Sequence, residues 1–323
     1  MIPFQPLFRN PHCQTIAAHF WRRPGDRHIP LERRLYRTEP GVQVLVESQR
    51  PAGAPAGEIV MVHGLEGSGE AGYIRGLASA ALRMGFAAHR FHLRTCGGTE
   101  RLSPTLYHAG LTSDLLAVLR EFRSEGRPPA FLVGFSLGGN VVVKLAGELG
   151  ESARGLIHGV CGVSTPLDLA ASSRCLDKPA NRLYQRRFVL RMRKRILATG
   201  RYEKGNLSNL NSVKEIDDRI TAPSFGFGTA ANYYKTQSAI GYLDGLRVPV
   251  MLIHAKDDTL VPFEIFESPA VRSNRWIEVV APPHGGHLGF LGRKPLRFWA
   301  DQAIMEWIAA TNAKDSWTFS SRS

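Results

Sequence analysis

The chain has 323 residues, which is enough for one large α/β domain with an insertion or for two small domains. Of these residues 43% are hydrophobic and 21% charged, a composition typical of a soluble globular protein. No apolar run reaches the ~18 residues that a membrane-spanning helix needs, and the N-terminus lacks the pattern of a secretory signal. The formal net charge of +13 points to an anionic partner, such as nucleic acid, an anionic membrane or an anionic substrate. We therefore expect a cytoplasmic location, with a peripheral position at the inner membrane surface as a further hypothesis.

The cysteines and histidines give no sign of a metal centre. Four cysteines are scattered along the chain without a C-x-x-C pair, which favours reduced thiols in a cytosolic protein. They do not cluster with histidines at metal-ligand spacing, so no metal or other cofactor is expected.

The first half of the chain alternates strand-like and helix-like segments. Residues 1–35 are rich in proline and carry aromatic anchors, which predicts an irregular arm packed on the core, and the alternating pattern of 42–49 predicts a strand. Further strands and helices are expected in turn at 58–63, 72–84, 86–92, 110–124, 130–135, 137–149 and 156–163. This order, with continuous apolar runs in the strands, predicts an α/β fold whose mostly parallel sheet has helices on both faces.

The alternation stops between residues 165 and 245, where polar and basic helices are expected without a buried strand. It resumes with strands at 248–254 and 275–280 and a helix at about 295–310. The predicted units are an arm over 1–35, a core over 36–164 and 246–312, an inserted helical cap over 165–245, and a flexible tail over 313–323.

Positive charge is concentrated in residues 182–204, where basic residues interleave with apolar ones and predict an amphipathic helix. The expected apolar face comprises Leu183, Phe188, Val189, Leu190 and Ile196, and the expected basic face Arg182, Arg186, Arg187, Arg193, Lys194 and Arg195. A helix of this kind can lie on anionic lipid, so contact with an anionic membrane through 182–204 is one hypothesis. A solvated helix face is the simpler interpretation.

The sequence Gly134-Phe-Ser-Leu-Gly138 follows an apolar strand and precedes an apolar helix. In this context G-x-S-x-G forms a sharp turn that exposes a nucleophilic serine, here Ser136. The alternative is an ordinary glycine-rich turn between a strand and a helix.

A serine nucleophile needs a histidine base and a carboxylate that orients it, both located after later strands of the sheet. Asp257 and Asp258 compete for the carboxylate role, and we favour Asp258 because it begins the D-x-x-V-P sequence typical of this position in α/β-hydrolases. His284 and His287 compete for the role of base. We favour His287 because Gly285-Gly286 before it predicts a tight loop that turns the imidazole inward.

An oxyanion hole requires two backbone N–H groups aimed at the developing negative charge. One is expected from Leu137, the residue after the nucleophile. The other is expected from Leu65 in the loop His63-Gly-Leu-Glu-Gly-Ser68, which follows the strand at 58–63. His63 is expected to orient this loop rather than to act in catalysis.

These segments, together with the Asn10–Thr15 segment and the block 94–115, resemble the YheT-like esterases of the α/β-hydrolase superfamily. That group is related to plant embryogenesis-associated hydrolases and to mammalian α/β-hydrolase-domain phospholipases. The resemblance spans most of residues 8–292 and implies the α/β-hydrolase fold with a catalytic triad of Ser136, Asp258 and His287. For the block 94–115 it implies a structural role or a place at the edge of the pocket, whereas composition alone indicates only a loop that leads into a helix.

The leading hypothesis is a serine hydrolase that cleaves carboxylic esters of small acyl or lipid-like substrates through an acyl-enzyme intermediate. An acyltransferase that uses the same triad is an alternative. A protein that binds an anionic membrane or nucleic acid through the basic cap is another, but an intact triad argues against binding as the sole function, and nucleic acid is disfavoured. The sequence does not determine the oligomeric state.

Overall fold

The computed structural model describes residues 2–23 and 29–320, of which 314–320 by backbone alone. Eight strands form one sheet in the order β1-β2-β4-β3-β5-β6-β7-β8. Only the pairs β1–β2 and β2–β4 are antiparallel. The strands are β1 (Glu32–Glu39), β2 (Val42–Gln49), β3 (Glu58–Val62), β4 (Ala87–Phe91), β5 (Ala130–Phe135), β6 (Ile157–Val163), β7 (Val250–Ile253) and β8 (Ile277–Val280).

The central strands are buried because both faces of the sheet are covered, which is why their sequences are continuous apolar runs. Val60 and Val62 of β3 contribute to one apolar cluster, and Ile59 and Met61 contribute to another on the opposite face. One face is covered by α3 (Ser113–Ser124) and α4 (Leu137–Leu149), and the other by α2 (Gly72–Arg83) and α12 (Trp299–Ser320). The predicted α/β fold, with a mostly parallel sheet and helices on both faces, is confirmed.

The N-terminal segment is more regular than the predicted arm. Helix α1 (Pro11–Phe20) lies within it, and β1 begins before its predicted end at residue 35. The helix starts after Asn10, whose side chain accepts a hydrogen bond from the Cys13 N–H group, and Pro11 occupies the first helical position. Residue 1 and residues 24–28 of the predicted arm lie outside the described residues.

Helix α1 is attached to the core through Gln14. This buried side chain donates to the Leu291 carbonyl at 3.0 Å and accepts from the Leu291 N–H group at 3.0 Å. The contact places the N-terminal helix against the loop that follows β8.

Between β6 and β7, a segment that the structure describes throughout, the chain forms helices and loops but no strand. The α-helices are α5 (Leu169–Leu176), α6 (Arg182–Ala198), α7 (Lys204–Leu207), α8 (Val213–Ile216), α9 (Ala222–Ser224) and α10 (Ala230–Gln237); the 3₁₀-helices are Pro179–Asn181 and Ala239–Gly245, and Asp217–Thr221 is a π-helix. An apolar cluster joins residues of these helices, among them Met192 and Ile196 of α6, to Leu106 and Leu260 from outside the segment, and Leu65 packs against it.

The faces of α6 differ from the predicted ones at three positions. Leu183 and Leu190 were expected on a shared apolar face with Val189 and Ile196, but they are exposed while the latter two are buried. Arg195, expected on the basic face, is buried. The cause is the direction of the helix over the core, which residue types alone do not determine.

The remaining helices lie between α4 and β6, between β7 and β8, and after β8. Gly150–Gly155 and Phe263–Glu267 are 3₁₀-helices, and α11 (Pro269–Arg272) precedes β8. Helix α12 continues to Ser320, into the segment 313–323 that was predicted to be a flexible tail, and residues 321–323 lie outside the described residues. No helix in the described part of the chain is both long enough and apolar enough to cross a membrane.

Candidate active site

Ser136 occupies a sharp turn between β5 and α4. Its backbone has φ 51° and ψ −123°, a conformation that non-glycine residues rarely adopt. The turn is possible because Gly134 and Gly138 have no side chains: a Cβ on Gly134 would lie 2.3 Å from the Gly138 carbonyl oxygen, and one on Gly138 2.4 Å from the Val62 carbonyl oxygen. This strained turn has the geometry of a nucleophile elbow.

The structure brings Ser136, His287 and Asp258 together in one hydrogen-bonded chain. The Nε2 atom of His287 lies 2.9 Å from Ser136 Oγ, and its Nδ1 atom lies 2.9 Å from Asp258 Oδ2. Asp258 Oδ1 also accepts hydrogen bonds from the N–H groups of Leu260 at 2.9 Å and Val261 at 3.1 Å. The carboxylate is thus fixed in place and directed at the imidazole.

These contacts determine the charge of the Asp258 carboxylate. Burial alone would raise its pKa, but attraction and hydrogen bonding from His287, with smaller contributions from His254 and the Leu260 N–H group, hold the pKa below its ordinary value. Burial lowers the pKa of His254 to about 4, so this neighbouring ring is neutral at pH 7. Asp258 is therefore the negatively charged partner of His287 at neutral pH.

The loop before His287 is held by the N-terminal helix. Gly286 has φ 58°, and a Cβ there would lie 2.3 Å from the Pro11 carbonyl oxygen. The His287 N–H group donates to Thr15 Oγ1 at 2.8 Å. The glycine therefore lets α1 approach closely enough to fix the backbone of His287, a contact that the sequence did not predict.

The competing residues Asp257 and His284 form a separate pair. His284 Nδ1 lies 3.2 Å from Asp257 Oδ2, and the Gly286 N–H group donates to Asp257 Oδ1 at 2.9 Å. Neither residue has a hydrogen bond to Ser136 in the described part of the chain. Their contacts tie the loop after β7 to the loop after β8.

The predicted oxyanion donors lie beside Ser136. Leu65 and Leu137 line the same cavity as Ser136 and His287. The N–H groups on either side of Leu65 are occupied, since Gly64 donates to Tyr73 Oη at 3.1 Å and Glu66 donates to Tyr107 Oη at 2.9 Å. Within the described residues the Leu65 N–H group has no hydrogen-bond acceptor, which suits a donor to a bound substrate.

His63 supports this loop as a neutral ring. Burial lowers its pKa to about 3. Its Nε2 atom accepts from the Leu93 N–H group at 3.1 Å, so Nδ1 carries the proton and donates to the Gly64 carbonyl at 2.8 Å. These bonds are those expected of a residue that orients the loop.

The sequence did not predict a buried ion pair that lies beneath the loop at residues 63–68. Arg195 of α6 donates to Glu66 Oε1 at 2.8 Å and to Thr95 Oγ1 at 2.9 Å, and its guanidinium lies 4.5 Å from the centre of the Tyr107 ring. Glu66 has φ 55°, a strained conformation directly after Leu65. The cap helix is therefore connected to the loop that carries a predicted oxyanion donor.

The block 94–115 supplies the other side of this network. Arg94 forms two hydrogen bonds with Asp114, at 2.9 and 2.7 Å, and a third with Thr105 at 2.6 Å. Tyr107, between these residues, donates to Glu66 Oε1 at 3.0 Å. The block therefore contacts the Glu66–Arg195 pair through Tyr107 and Thr95.

Two cavities open onto Ser136 and His287. A chamber of about 120 Å³ lies under the cap and has a mainly apolar lining that includes Leu169, Leu176 and Met192. A cleft of about 470 Å³ lies between α1, the loop at 64–73 and α6. A bound ester at Ser136 could extend in both directions.

Comparison with known proteins identifies the family. Residues 58–294 match the family model of the alpha/beta hydrolase fold. YheT of Escherichia coli, a protein with an esterase name, is 33% identical over 313 residues, which cover 93% of this chain and 91% of that one. The chain belongs to the α/β-hydrolase family.

Two further relatives of this α/β-hydrolase have lipase names. A monoacylglycerol lipase of Saccharomyces cerevisiae is 27% identical over 77% of this chain and 58% of its own length. The phospholipase ABHD3 of Mus musculus is 26% identical over 72% of this chain and 58% of its own length. The predicted family is confirmed, and these names support the prediction of an enzyme that acts on carboxylic esters.

Solved structures agree on the fold. The Pyrococcus furiosus esterase Pf2001 superimposes with a TM-score of 0.60 at 17% identity, covering 90% of this chain and 95% of that one. Est1E from Butyrivibrio proteoclasticus gives a TM-score of 0.58 at 15% identity, and the match covers 87% of this chain and 99% of that one.

Proposed function

We propose that this α/β-hydrolase cleaves carboxylic esters with Ser136 as nucleophile, His287 as general base and Asp258 as the carboxylate that orients His287. The observation that supports the proposal most strongly is the pair of 2.9 Å distances that link Ser136 Oγ to His287 and His287 to Asp258. A serine hydroxyl is a weak nucleophile at neutral pH, and this arrangement removes its proton as it attacks.

In the first step Ser136 Oγ attacks the ester carbonyl carbon while its proton passes to His287 Nε2. The carbonyl oxygen becomes an oxyanion that accepts hydrogen bonds from the N–H groups of Leu65 and Leu137. His287 then gives the proton to the alcohol oxygen, the carbon–oxygen bond breaks and the alcohol leaves an acyl-Ser136. A water molecule, deprotonated by His287, releases the carboxylic acid and restores Ser136.

The apolar chamber is the proposed site for the acyl group. It begins at Ser136 and Leu137 and continues under the cap between Leu169, Leu176 and Met192. Removing an acyl chain from water is favourable by about 0.8 kcal/mol for each CH₂ group. The lipase names of two relatives agree with a lipid-like acyl substrate.

The surface around the cleft is suited to contact with an anionic membrane. Leu183 is 77% exposed, Leu190 54% and Phe20 74%, and basic residues Arg186 and Arg187 lie between the two leucines on α6. We propose that this surface brings the enzyme to lipid substrates. Co-sedimentation with vesicles at about 0.15 M salt tests it: binding only to anionic vesicles supports the contact, and equal recovery with and without vesicles contradicts it.

The hydrolase proposal is tested with p-nitrophenyl esters of increasing acyl length and with phospholipids. Wild type is expected to turn over at least one ester, and Ser136→Ala to lose a factor on the order of 10⁴ to 10⁶ while remaining folded. Ser124→Ala, at the exposed end of α3, is the control and is expected to keep full activity. Equal turnover by Ser136→Ala and wild type would contradict the proposal. Transfer of the acyl group to an added alcohol in preference to water would indicate an acyltransferase instead.

A further inference from the structure

The open cleft differs from the chamber in its chemistry. The side chains of His19, Arg187 and Arg191 line it together with Ser136 and His287. The chamber, by contrast, is mainly apolar and has one cation in its lining, Arg195, which is paired with Glu66. The two cavities therefore present different environments to the two sides of an ester bound at Ser136.

The acidic residues that line the cleft are occupied elsewhere. Glu66 is paired with Arg195 at 2.8 Å, and Glu70 is paired with Arg90 at 2.7 Å. The third cation of the lining, Arg23, is bound to Asp301 at 2.7 Å. In the described part of the chain, neither Arg187 nor Arg191 has a carboxylate partner.

Burial and this excess of positive charge both lower pKa values in the cleft. Burial, Arg187 and Arg191 together lower the pKa of His19, and burial and Arg191 lower the pKa of Arg187. Arg187 donates a hydrogen bond to His19 Nε2 at 2.8 Å, so this ring nitrogen carries no proton. A neutral histidine thus helps to hold one of two unpaired guanidinium groups at the cleft.

We propose that this cleft binds the alcohol side of the ester and that Arg187 and Arg191 recognise a phosphate group on it. Guanidinium groups suit a phosphate, because their N–H donors match the spacing of its oxygen atoms. The leaving alcohol must lie within reach of His287, which lines the cleft and protonates it. This inference rests on the proposed hydrolase function and adds a substrate class to it.

The test compares two esters that share an acyl chain and differ only in charge: 1-hexanoylglycerol and 1-hexanoylglycerol 3-phosphate, both kept monomeric in solution. Measurement of kcat/KM is made for wild type and for the double variant Arg187→Gln/Arg191→Gln. The double variant Arg182→Gln/Lys194→Gln is the matched control, because it removes the same charge from exposed positions of α6 that do not line the cleft. Monomeric substrates exclude a contribution from a membrane surface.

Wild type is expected to prefer the phosphate ester by about tenfold, since exposed charge pairs each give a factor of up to about five. Arg187→Gln/Arg191→Gln is expected to lose this preference while keeping kcat/KM for the neutral ester. The control variant is expected to keep the preference for the phosphate ester. Glycerol 3-phosphate is expected to compete with the phosphate ester in wild type and more weakly in the cleft variant.

Equal kcat/KM for the two esters in wild type would overturn the proposal even if the neutral ester is hydrolysed. The same loss in the control variant would also overturn it, because the effect would then come from total charge. Inhibition by inorganic phosphate without a preference for the phosphate ester would indicate a site for free anions and contradict a role on the substrate. No turnover of either ester, with no covalent labelling of Ser136 by a fluorophosphonate, would refute the hydrolase function itself.

Discussion

Two Asp–His pairs lie side by side at the ends of β7 and β8, and only one of them reaches Ser136. In the pair Asp258–His287 the side chains are 0% and 8% exposed, and the ring continues to Ser136. In the pair Asp257–His284 they are 18% and 35% exposed, and Asp257 also binds the Gly286 N–H group. The same residue types thus form a candidate catalytic pair in one case and, in the other, a contact that connects the loop after β7 to the loop after β8.

The difference between the two pairs comes from the burial of Asp258 and from the backbone N–H groups that bind it. Asp258 is enclosed by two backbone N–H groups and His287, so its charge acts in a medium that screens it little. Asp257 and His284 are in contact with solvent, where an ion pair contributes little. A carboxylate beside a histidine therefore indicates a catalytic pair only once the surroundings of both side chains are known.

Substitution of the two histidines gives the largest expected contrast. His287→Ala is expected to lower kcat for ester hydrolysis by a factor on the order of 10⁴ or more, because Ser136 loses its base. His284→Ala is expected to lower it less than about tenfold, since only the loop contact is lost. Steady-state kinetics on one p-nitrophenyl ester measures both. Comparable losses in the two variants would contradict the assignment of roles.

The two aspartates give the next contrast. Asp258→Asn is expected to lower kcat by about 10⁴, because an amide permits the wrong tautomer of His287. Asp257→Asn keeps an oxygen that accepts from the Gly286 N–H group, so its kcat is expected to stay within about threefold of wild type. A larger loss of kcat in Asp257→Asn than in Asp258→Asn, measured in the same assay, would reverse the roles assigned to the two pairs.

Removing the Asp257 side chain tests whether its contacts hold the loop after β8 in place. Asp257→Ala leaves the Gly286 N–H group without its acceptor and is expected to reduce the free energy of unfolding by about 1 kcal/mol. Urea unfolding of Asp257→Ala and Asp257→Asn separates the hydrogen bond from the charge. If the alanine variant is as stable as wild type, the contact does not hold the loop.

The pH dependence of stability gives the smallest expected effect. The pKa of Asp258 is lowered in the folded protein, so the carboxylate adds stability that is present above the ordinary aspartate pKa of 3.8 and lost as pH falls through the lowered value. The stability of wild type relative to Asp258→Asn is therefore expected to decline below about pH 4. Thermal unfolding at pH 7, 5 and 3 measures it, with Asp257→Asn as reference. A difference that grows toward low pH would contradict a lowered pKa.

The sequence was sufficient to predict seven of the eight strands, the helices that pack on the sheet, and a shared location for Ser136, Asp258 and His287 at one edge of that sheet. Strand β1 and the short helices between β6 and β7 were not predicted individually. Periodicity and glycine spacing carry this information, because parallel strands bring their C-terminal ends to one edge of the sheet. Helix α1 was missed although Asn10-Pro11 is a helix-start signal, since proline and aromatic residues nearby suggested an irregular segment.

The rest of the site depends on packing between segments far apart in the chain. Thr15 reaches His287 across 272 positions, and Arg195 reaches Glu66 across 129. Arg195 was predicted on a solvated face because its residue type favours exposure. Its burial follows only from the placement of α6 above the loop at 64–73.

Covalent labelling shows whether Ser136 is a nucleophile that His287 activates. A fluorophosphonate probe reacts with activated serines, and mass spectrometry of a digest locates the adduct. We expect one adduct, on Ser136, that is abolished in Ser136→Ala, strongly slowed in His287→Ala and retained in His284→Ala. An unlabelled Ser136 in the folded wild-type protein, or labelling that is equally fast in His287→Ala, would contradict this expectation.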